Sequence, residues 1–513
     1  MSSILILDIQ IVTLILDLIE QGTYDYSAHA HPIEVRFANL RAGDGGTMVK
    51  QRVAAEIIGS RDQRNSPSKR LLADRIVWRS VSDLAPFPNN PRVHPASQIA
   101  ALTRSMRQGW TNPILVDEAN TILAGHGRLQ AAQKLGLSTV PTLMLSGLSA
   151  AEKLSVVIAD NKLPEQSVWD VDALKMHFQV LDKMDYDLEL TGFTTGEIDI
   201  VLDGTSAPPT RDPDDEFEDL AVGPAISQAG DLWLLGDHRI LCGDSQLDVS
   251  TAKVMRGDKA QMVVTDPPYN LKIQGNVRGR TARKYPEFAM ASGEMSEQQF
   301  EDFLARAITQ MIGASVNGSI HYICMDWRHL PELLAAGRAQ YSEWKNLLVW
   351  NKSNAGLGAF YRSKYELVAV FKAGNAPHIN NFGMGEKGRY RTNVLDYAGA
   401  TAFGKNRDET FDPHPTVKPC ALIADLMRDC SRRNGIIFDP FGGSGTTLLA
   451  AQRTRRRARL IELDPAYVDL TVRRWEKTTG LEARHESSGQ TFKDLERQRP
   501  PQPTSSLQKR EAT

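Results

Sequence analysis

Between residues 435 and 464 the chain runs Gly-Ile-Ile-Phe-Asp-Pro-Phe-Gly-Gly-Ser-Gly-Thr-Thr into a short helical stretch, then Ala-Arg-Leu-Ile-Glu-Leu-Asp. An unbroken apolar run such as 435–438 is a strand buried on both faces, the mark of a parallel sheet. Parallel neighbours need a helical crossover, which the residues after Thr447 supply. The segment is therefore a β–glycine loop–α–β unit, and it commits this part of the chain to an open α/β sheet. Such sheets bind ligands at the carboxyl ends of their strands. Here those ends carry Asp439, Phe441, Gly442, Gly443 and Gly445 on one strand and Glu462 on the next. Glycines let a ligand approach the backbone closely, and a carboxylate at a strand tip can accept both hydroxyls of a ribose. The unit predicts a ligand carrying an adenosine. No Gly-Lys-Ser/Thr follows the glycines, and the G-x-G-x-x-G spacing is missing, so neither a P-loop nor a dinucleotide fingerprint is present.

A second strand end carries the chemistry. Met262-Val263-Val264-Thr265 leads directly into Asp266-Pro267-Pro268-Tyr269. Two prolines fix their own φ and keep the residue before each out of the helical region, so this loop is stiff. It holds a carboxylate, a backbone carbonyl and an aromatic ring in fixed relation. Two further elements belong with it: Gly243-Asp244-Ser245 after a strand-like piece, and His414-Pro415-Thr416-Val417-Lys418-Pro419.

Taken in chain order (Gly243-Asp244-Ser245, the Asp-Pro-Pro-Tyr loop, His414 to Pro419, then the glycine loop and Glu462), the four motifs resemble the β-type arrangement of DNA amino-methyltransferases, which act on adenine N6 or cytosine N4. The resemblance covers about residues 229–478 and implies a Rossmann-like sheet that uses S-adenosylmethionine. By it, Asp439, Phe441, Gly442, Gly443 and Gly445 line the cofactor, and Glu462 takes its ribose. Asp244 lies near its adenine, with Thr416 and Lys418 at its methionine end. Asp266, Pro267, Pro268 and Tyr269 form the catalytic loop. The Asp266 carboxylate and the Pro267 carbonyl would accept the two hydrogens of the target amine, and Tyr269 would stack on a flipped base. Asp at the head of this loop is commoner in adenine enzymes and Ser in cytosine-N4 enzymes, so adenine is the expected target and cytosine the alternative. The other alternative is a DNA- or nucleotide-binding protein with a non-catalytic methylase-like half.

The amino-terminal half reads differently. A proline-punctuated loop ending in Asn90-Pro91-Arg92, a strand–turn–strand, and Gly125-His126-Gly127-Arg128 before a helix resemble the N-terminal domain of ParB-type proteins, which shares its fold with sulfiredoxin. The resemblance implies a smaller α+β domain over 74–203, helical toward its end. It also implies nucleotide phosphates held near Arg92, Gly125, His126 and Arg128. The sulfiredoxin reaction needs a cysteine beside the glycines, and the first cysteine of the chain is Cys242.

The remaining stretches are expected to be simpler. Residues 1–73 are read as poorly ordered, 204–228 as a linker, 373–412 as the target-recognition segment and 483–513 as a disordered tail. With 62 acidic and 60 basic residues no global field attracts DNA; basic side chains in 272–284 and 387–391 are expected to hold phosphates. Four scattered cysteines fit neither a zinc site nor a disulfide framework, which suits the cytoplasm. The apolar stretch 4–19 is short for a membrane span and contains Asp8 and Asp17. Double-stranded DNA is the expected partner. Family members of this order are often dimers, so the resemblance admits a homodimer, and it is compatible with a restriction-modification setting.

Overall fold

The computed structural model describes residues 75–204, 212–215, 225–271, 291–353, 360–383, 389–398 and 418–499. The expectations for residues 1–73, for the basic residues of 272–284, for Lys387 and for Thr416 fall outside these.

The first section carries β1 (Ile76–Ser80), α1 (Ala96–Met106), β2 (Ile114–Val116), β3 (Ile122–Ala124), α2 (His126–Lys134) and β4 (Thr139–Met144). Its four strands lie in the order β1-β4-β2-β3. Leu84, Ile114, Val116, Ile122, Leu129 and Val140 form a compact core beneath them. Three helices follow: α3 (Ala150–Lys162), α4 (Val171–Lys183) and α5 (Thr195–Asp203). Capping boxes start α3 at Ser149/Glu152 and α5 at Thr194/Glu197, each satisfying two otherwise free N–H groups.

The second section contains β5 (Leu232–Leu235), β6 (His238–Cys242), α6 (Asp248–Met255), β7 (Ala260–Thr265), α7 (Glu297–Ala314), β8 (Ser315–Met325), α8 (Leu330–Gln340), β9 (Glu343–Asn351), β10 (Tyr365–Ala373) and β11 (Val394–Asp396). After these come α9 (Cys420–Cys430), β12 (Ile436–Asp439), α10 (Thr446–Arg453), β13 (Arg457–Glu462), α11 (Pro465–Thr479), β14 (Arg484–His485) and α12 (Phe492–Gln498). Ten strands pair in the order β11-β9-β10-β8-β7-β12-β13-β6-β5-β14. The five central strands β8, β7, β12, β13 and β6 are mutually parallel. Both faces of the sheet are covered. Phe300, Phe303, Leu304 and Ile308 of α7 pack on one side, and Leu422, Leu448, Val468 and Phe492 on the other.

Chain order reverses between β7 and β12: β8 continues from β7 in one direction, β13 from β12 in the other. Such a switch opens a crevice at the carboxyl ends of the two strands. The loops after Thr265 and Asp439 both emerge there.

Three sequence expectations need correction. The tail is not disordered from 483: β14 pairs with β5, and Phe492, 2% exposed, sits 5.2 Å from the Trp233 ring. Its charged composition concealed two buried anchors, Phe492 and Leu495. The described parts of the linker are not idle spacer either. Asp212 and Asp214 both pair with Arg453, and the Asp469 carboxylate accepts from the Ile226 and Ser227 N–H groups. Finally, Arg389 and Arg391 do not face solvent to meet phosphates. Both turn inward to Asp425 and Asp429, four residues apart on α9.

The helical end of the first section is fastened to the second by arginines. Arg456 and Asp199 are fully buried and lie 2.8 Å apart. Arg433 reaches Asp199 and Asp182, and Arg428 pairs with Asp203.

Candidate active site

The glycine loop is shaped by its neighbours. Gly443 and Gly445 have φ of +52° and +84°, a region side chains avoid. A Cβ on Gly445 would lie 2.6 Å from Thr471, and one on Gly442 would lie 3.1 Å from Leu460. The turn therefore packs against α11 and β13 more closely than any side chain would allow. Asp439, at the end of β12, accepts from the hydroxyls of Thr265 and Thr447, each at 2.6 Å, and from the Phe441 N–H at 3.1 Å. Burial lifts its carboxyl to about 6, against those three donors. Phe441 packs with its ring centroid 5.7 Å from that of Phe303.

Glu462 ends β13. Its two oxygens accept from the Gly443 and Asp464 N–H groups, both at 2.8 Å. Burial raises it to about 7. Gly243 donates its N–H to the Glu462 carbonyl at 2.8 Å, which brings Asp244 beside this strand end. The Asp244 carboxylate accepts from the Gln246 N–H at 2.9 Å.

The Asp-Pro-Pro-Tyr loop leaves β7 next door. Tyr269 donates its hydroxyl to Asp266 Oδ1 at 2.5 Å. Asn270, buried at φ +51°, donates to the Met295 carbonyl and accepts from the Gly293 and Met295 N–H groups. It thereby staples the loop to the segment before α7. Lys418 stands with this loop: its ammonium lies 2.5 Å from Asp266 Oδ2, 3.2 Å from the Tyr269 hydroxyl and 2.9 Å from Glu366 Oε2. Glu366 also pairs with Lys352. The Lys418 side chain is 5% exposed and that of Asp266 27%, so Asp266 is enclosed except on one side.

Charge in this cluster is arranged by opposition. Burial raises Asp266 above the usual carboxylate range, Lys418 pulling against it and Glu366 adding to the rise. Burial would also raise Glu366, but Lys418 and Lys352 outweigh it and hold it at about 2. Lys418 is held well above its ordinary value by the two carboxylates, despite its burial.

Asn270, Glu366 and Lys352 were not singled out from sequence. Asn270 directly follows the Asp-Pro-Pro-Tyr motif, and a buried polar residue there is a readable signal. Glu366 offers none, since only the strand order puts it at this edge. In the first section, Gly125 caps α2 at φ +99°, and Arg128 Nη1 lies 3.5 Å from where a Gly125 Cβ would stand. The His126 Nε2 accepts from the Phe87 N–H at 3.1 Å. Arg92 is paired with Glu165.

The residues present fit an adenosine-bearing sulfonium cofactor: a Cβ-free turn, two buried carboxylates at adjacent strand ends, and a third carboxylate open on one side. Because Glu462 protonates as pH falls through about 7, its capacity to accept ribose hydroxyls falls with it. Affinity for S-adenosylmethionine is expected to rise roughly tenfold from pH 6 to pH 8, measured by calorimetry, and Glu462→Gln should flatten that rise.

Comparison with known proteins accords with this geometry. A DNA methylase family profile matches residues 260–473, a ParB-methyltransferase HTH domain profile 172–229, and a ParB N-terminal domain profile 67–162. The chain is 46% identical over 80 residues to the ParB-like nuclease domain-containing protein YnaK of Escherichia coli K12, covering 15% of this chain and 92% of that protein. It is 36% identical over 89 residues to the type II methyltransferase M.ScaI of Streptomyces caespitosus, covering 17% of this chain and 29% of that one. The crystal structure of the M1.HpyAVI–SAM complex aligns with 46% of this chain and 97% of its own, at 19% identity and a TM-score of 0.34.

Proposed function

We propose, from the premise that this chain belongs to the DNA methylases of the N6/N4 type that carry a ParB N-terminal domain, that it methylates adenine N6 at specific sites in double-stranded DNA. Asp266 is the observation that carries this reading: a largely buried carboxylate, 27% exposed, at the switch crevice beside Gly442, Gly443, Gly445 and Glu462.

The exocyclic amine of a base is a weak nucleophile because its lone pair is delocalised into the ring. Asp266 and the Pro267 carbonyl accept its two hydrogens, which favours a pyramidal nitrogen with the lone pair directed across the crevice. S-adenosylmethionine supplies the electrophilic methyl group when bound. Positive charge develops on the nitrogen as its bond to the methyl group forms and a neutral thioether leaves; the Asp266 carboxylate stabilises that charge and takes the proton the nitrogen then sheds, passing it to solvent on its open side. Before transfer, Tyr269 exchanges its hydrogen bond to Asp266 for a stacking contact with the flipped base, which frees Oδ1 for the amine. Asp at the loop head supports adenine over cytosine.

Contact with the duplex is assigned to the loop joining β9 to β10. The Lys352 N–H donates to the Lys364 carbonyl at 2.8 Å and closes the loop at the catalytic edge. Phe360 and Tyr361 on it are 95% and 81% exposed and stack edge to face with centroids 4.9 Å apart. Apolar rings left in water beside basic residues suit base stacking. Phe360→Ala and Tyr361→Ala should each weaken DNA binding by about 1–3 kcal/mol in fluorescence anisotropy, with S-adenosylmethionine affinity unchanged.

The function itself is tested by single-molecule sequencing of genomic DNA from a methylation-free host expressing the chain. N6-methyladenine at one short motif is the expected result. N4-methylcytosine would keep the chemistry and overturn the base, and an unmodified genome would overturn the reading. Nucleotide binding by the first section is a separable proposal, supported by the left-handed Gly125 at the start of α2. It requires Arg92 to leave Glu165.

A further inference from the structure

Glu366 has no part in the transfer as described, yet it is buried at the centre of the site. It lies at the start of β10, which runs antiparallel to β8. Leu367 pairs with Met325, the last residue of β8, so this strand begins where β7 and β8 end. The carboxylate therefore arrives at the catalytic edge from the side of the sheet remote from the cofactor loop. It contacts Lys418 at 2.9 Å and lies 3.5 Å from the Tyr269 hydroxyl. On its outer side it pairs with Lys352, whose ammonium stands 4.7 Å over the Trp350 ring.

We propose that Glu366 is a positioning residue for methyl transfer: it draws off part of the Lys418 ammonium, so that Lys418 orients Asp266 without neutralising it as a hydrogen-bond acceptor. The inference rests on the reading of Asp266 as the acceptor for the target amine. A lone ammonium 2.5 Å from Asp266 in a poorly solvated site would hold that carboxylate so tightly that little basicity remained for the amine. Shared between two carboxylates, the same ammonium holds Oδ2 and leaves Oδ1 to exchange its Tyr269 hydrogen for one from the base. Lys352 sets the division by position: it holds Glu366 Oε1 on the outer side and leaves Oε2 to Lys418. Among the described residues, the groups facing Asp266 are Lys418 from the segment before α9, Glu366 from β10, Tyr269 from its own loop, Cys324 from β8 and Asp439 from β12. Of these, Lys418 and Glu366 dominate.

Two substitutions pull this balance in opposite directions. In Glu366→Gln the ammonium loses one of its two carboxylates and leans on Asp266, and the carboxylate repulsion that raised Asp266 is gone. The acid limb of the kcat–pH profile should then move down by roughly one unit while the plateau rate falls about tenfold. In Lys352→Met, Glu366 competes harder for Lys418, and the limb should move up. A purely structural Glu366 would lower activity in both variants without moving the limb. The same shifts are read without turnover from the 13C-carboxyl titration of aspartate-labelled protein, the Asp266 resonance being assigned by its loss in Asp266→Asn. An Asp266 midpoint unchanged in Glu366→Gln, or moved the same way in both variants, overturns the role of Glu366. A wild-type chain that methylates no DNA sinks the assignment of Asp266 instead, whatever the titration gives.

Discussion

Asp266→Ala is expected to reduce methyl transfer by roughly 10²–10⁴-fold while S-adenosylmethionine binding stays within about threefold of wild type. The separation follows from where Asp266 stands. The proposed cofactor pocket lies at the β12 and β13 loops, and Asp266 follows β7 on the other side of the switch crevice. The substitution also leaves little unpaired. Lys418 keeps Glu366 at 2.9 Å and Tyr269 keeps Lys418 at 3.2 Å, so the protein should remain folded. Single-turnover transfer of labelled methyl to DNA, run beside calorimetric cofactor binding, checks both halves. Loss of cofactor binding together with transfer would count against Asp266 as an acceptor and for a structural role.

Lys418→Met should harm stability and activity together. The ammonium serves Asp266, Glu366 and the Tyr269 hydroxyl at once, and removing it leaves a buried carboxylate without its cation. Such losses cost about 3–5 kcal/mol when complete. Glu366 retains Lys352, and the Asp266 carboxylate is partly open, so about 2–4 kcal/mol is expected, a fall in Tm on the order of 2–5 °C for a cooperative unit of this size. Without Lys418 the burial of Asp266 goes unopposed, and its pKa rises further. Protonated Asp266 cannot accept the amine hydrogen, so activity near neutrality should fall steeply and return in part at higher pH. Glu366 adds an acid-side signature. It is held at about 2 against an ordinary 4.5, so its stabilisation is present above pH 4.5 and disappears as pH falls toward 2. In Lys418→Met most of that loss should vanish. A Tm and pH profile matching wild type would refute the shared-ammonium arrangement.

What could be read from the sequence follows a physical boundary. The Asp266–Tyr269 loop and the Gly442–Gly445 turn are local: proline and glycine dictate their own backbone, and the apolar runs before them announce buried strands. The site's electrostatics are not local. Lys418 reaches Asp266 across 152 positions; its motif suggested the cofactor's methionine end, and nothing in the motif announced a contact with the Asp-Pro-Pro-Tyr loop. Glu366 sits in Tyr-Glu-Leu-Val-Ala-Val-Phe, an ordinary strand, and only the antiparallel pairing of β10 makes its first residues part of the catalytic edge. Arg389 and Arg391 misled through composition, since arginines in a glycine-rich stretch resemble a phosphate-binding loop. The corrective signal was Asp425 and Asp429, two acids one turn apart on a helix otherwise buried. The charged tail deceived in the same way: two apolar residues, Phe492 and Leu495, outweigh a dozen polar neighbours once Trp233 offers them a surface.

The pairing of Arg456 with Asp199 bears on how this chain can be cut or recombined. Both side chains are wholly enclosed, and they come from opposite sides of the linker. A methylase half released at residue 229 would expose or strand a guanidinium that was shaped to meet a carboxylate on α5. Grafting a different front section onto the sheet would do the same unless an acid arrived at the same place. The two described sections thus match separate family profiles yet form one thermodynamic unit: they should melt in a single transition, and can be truncated or exchanged only at the cost of a buried charge.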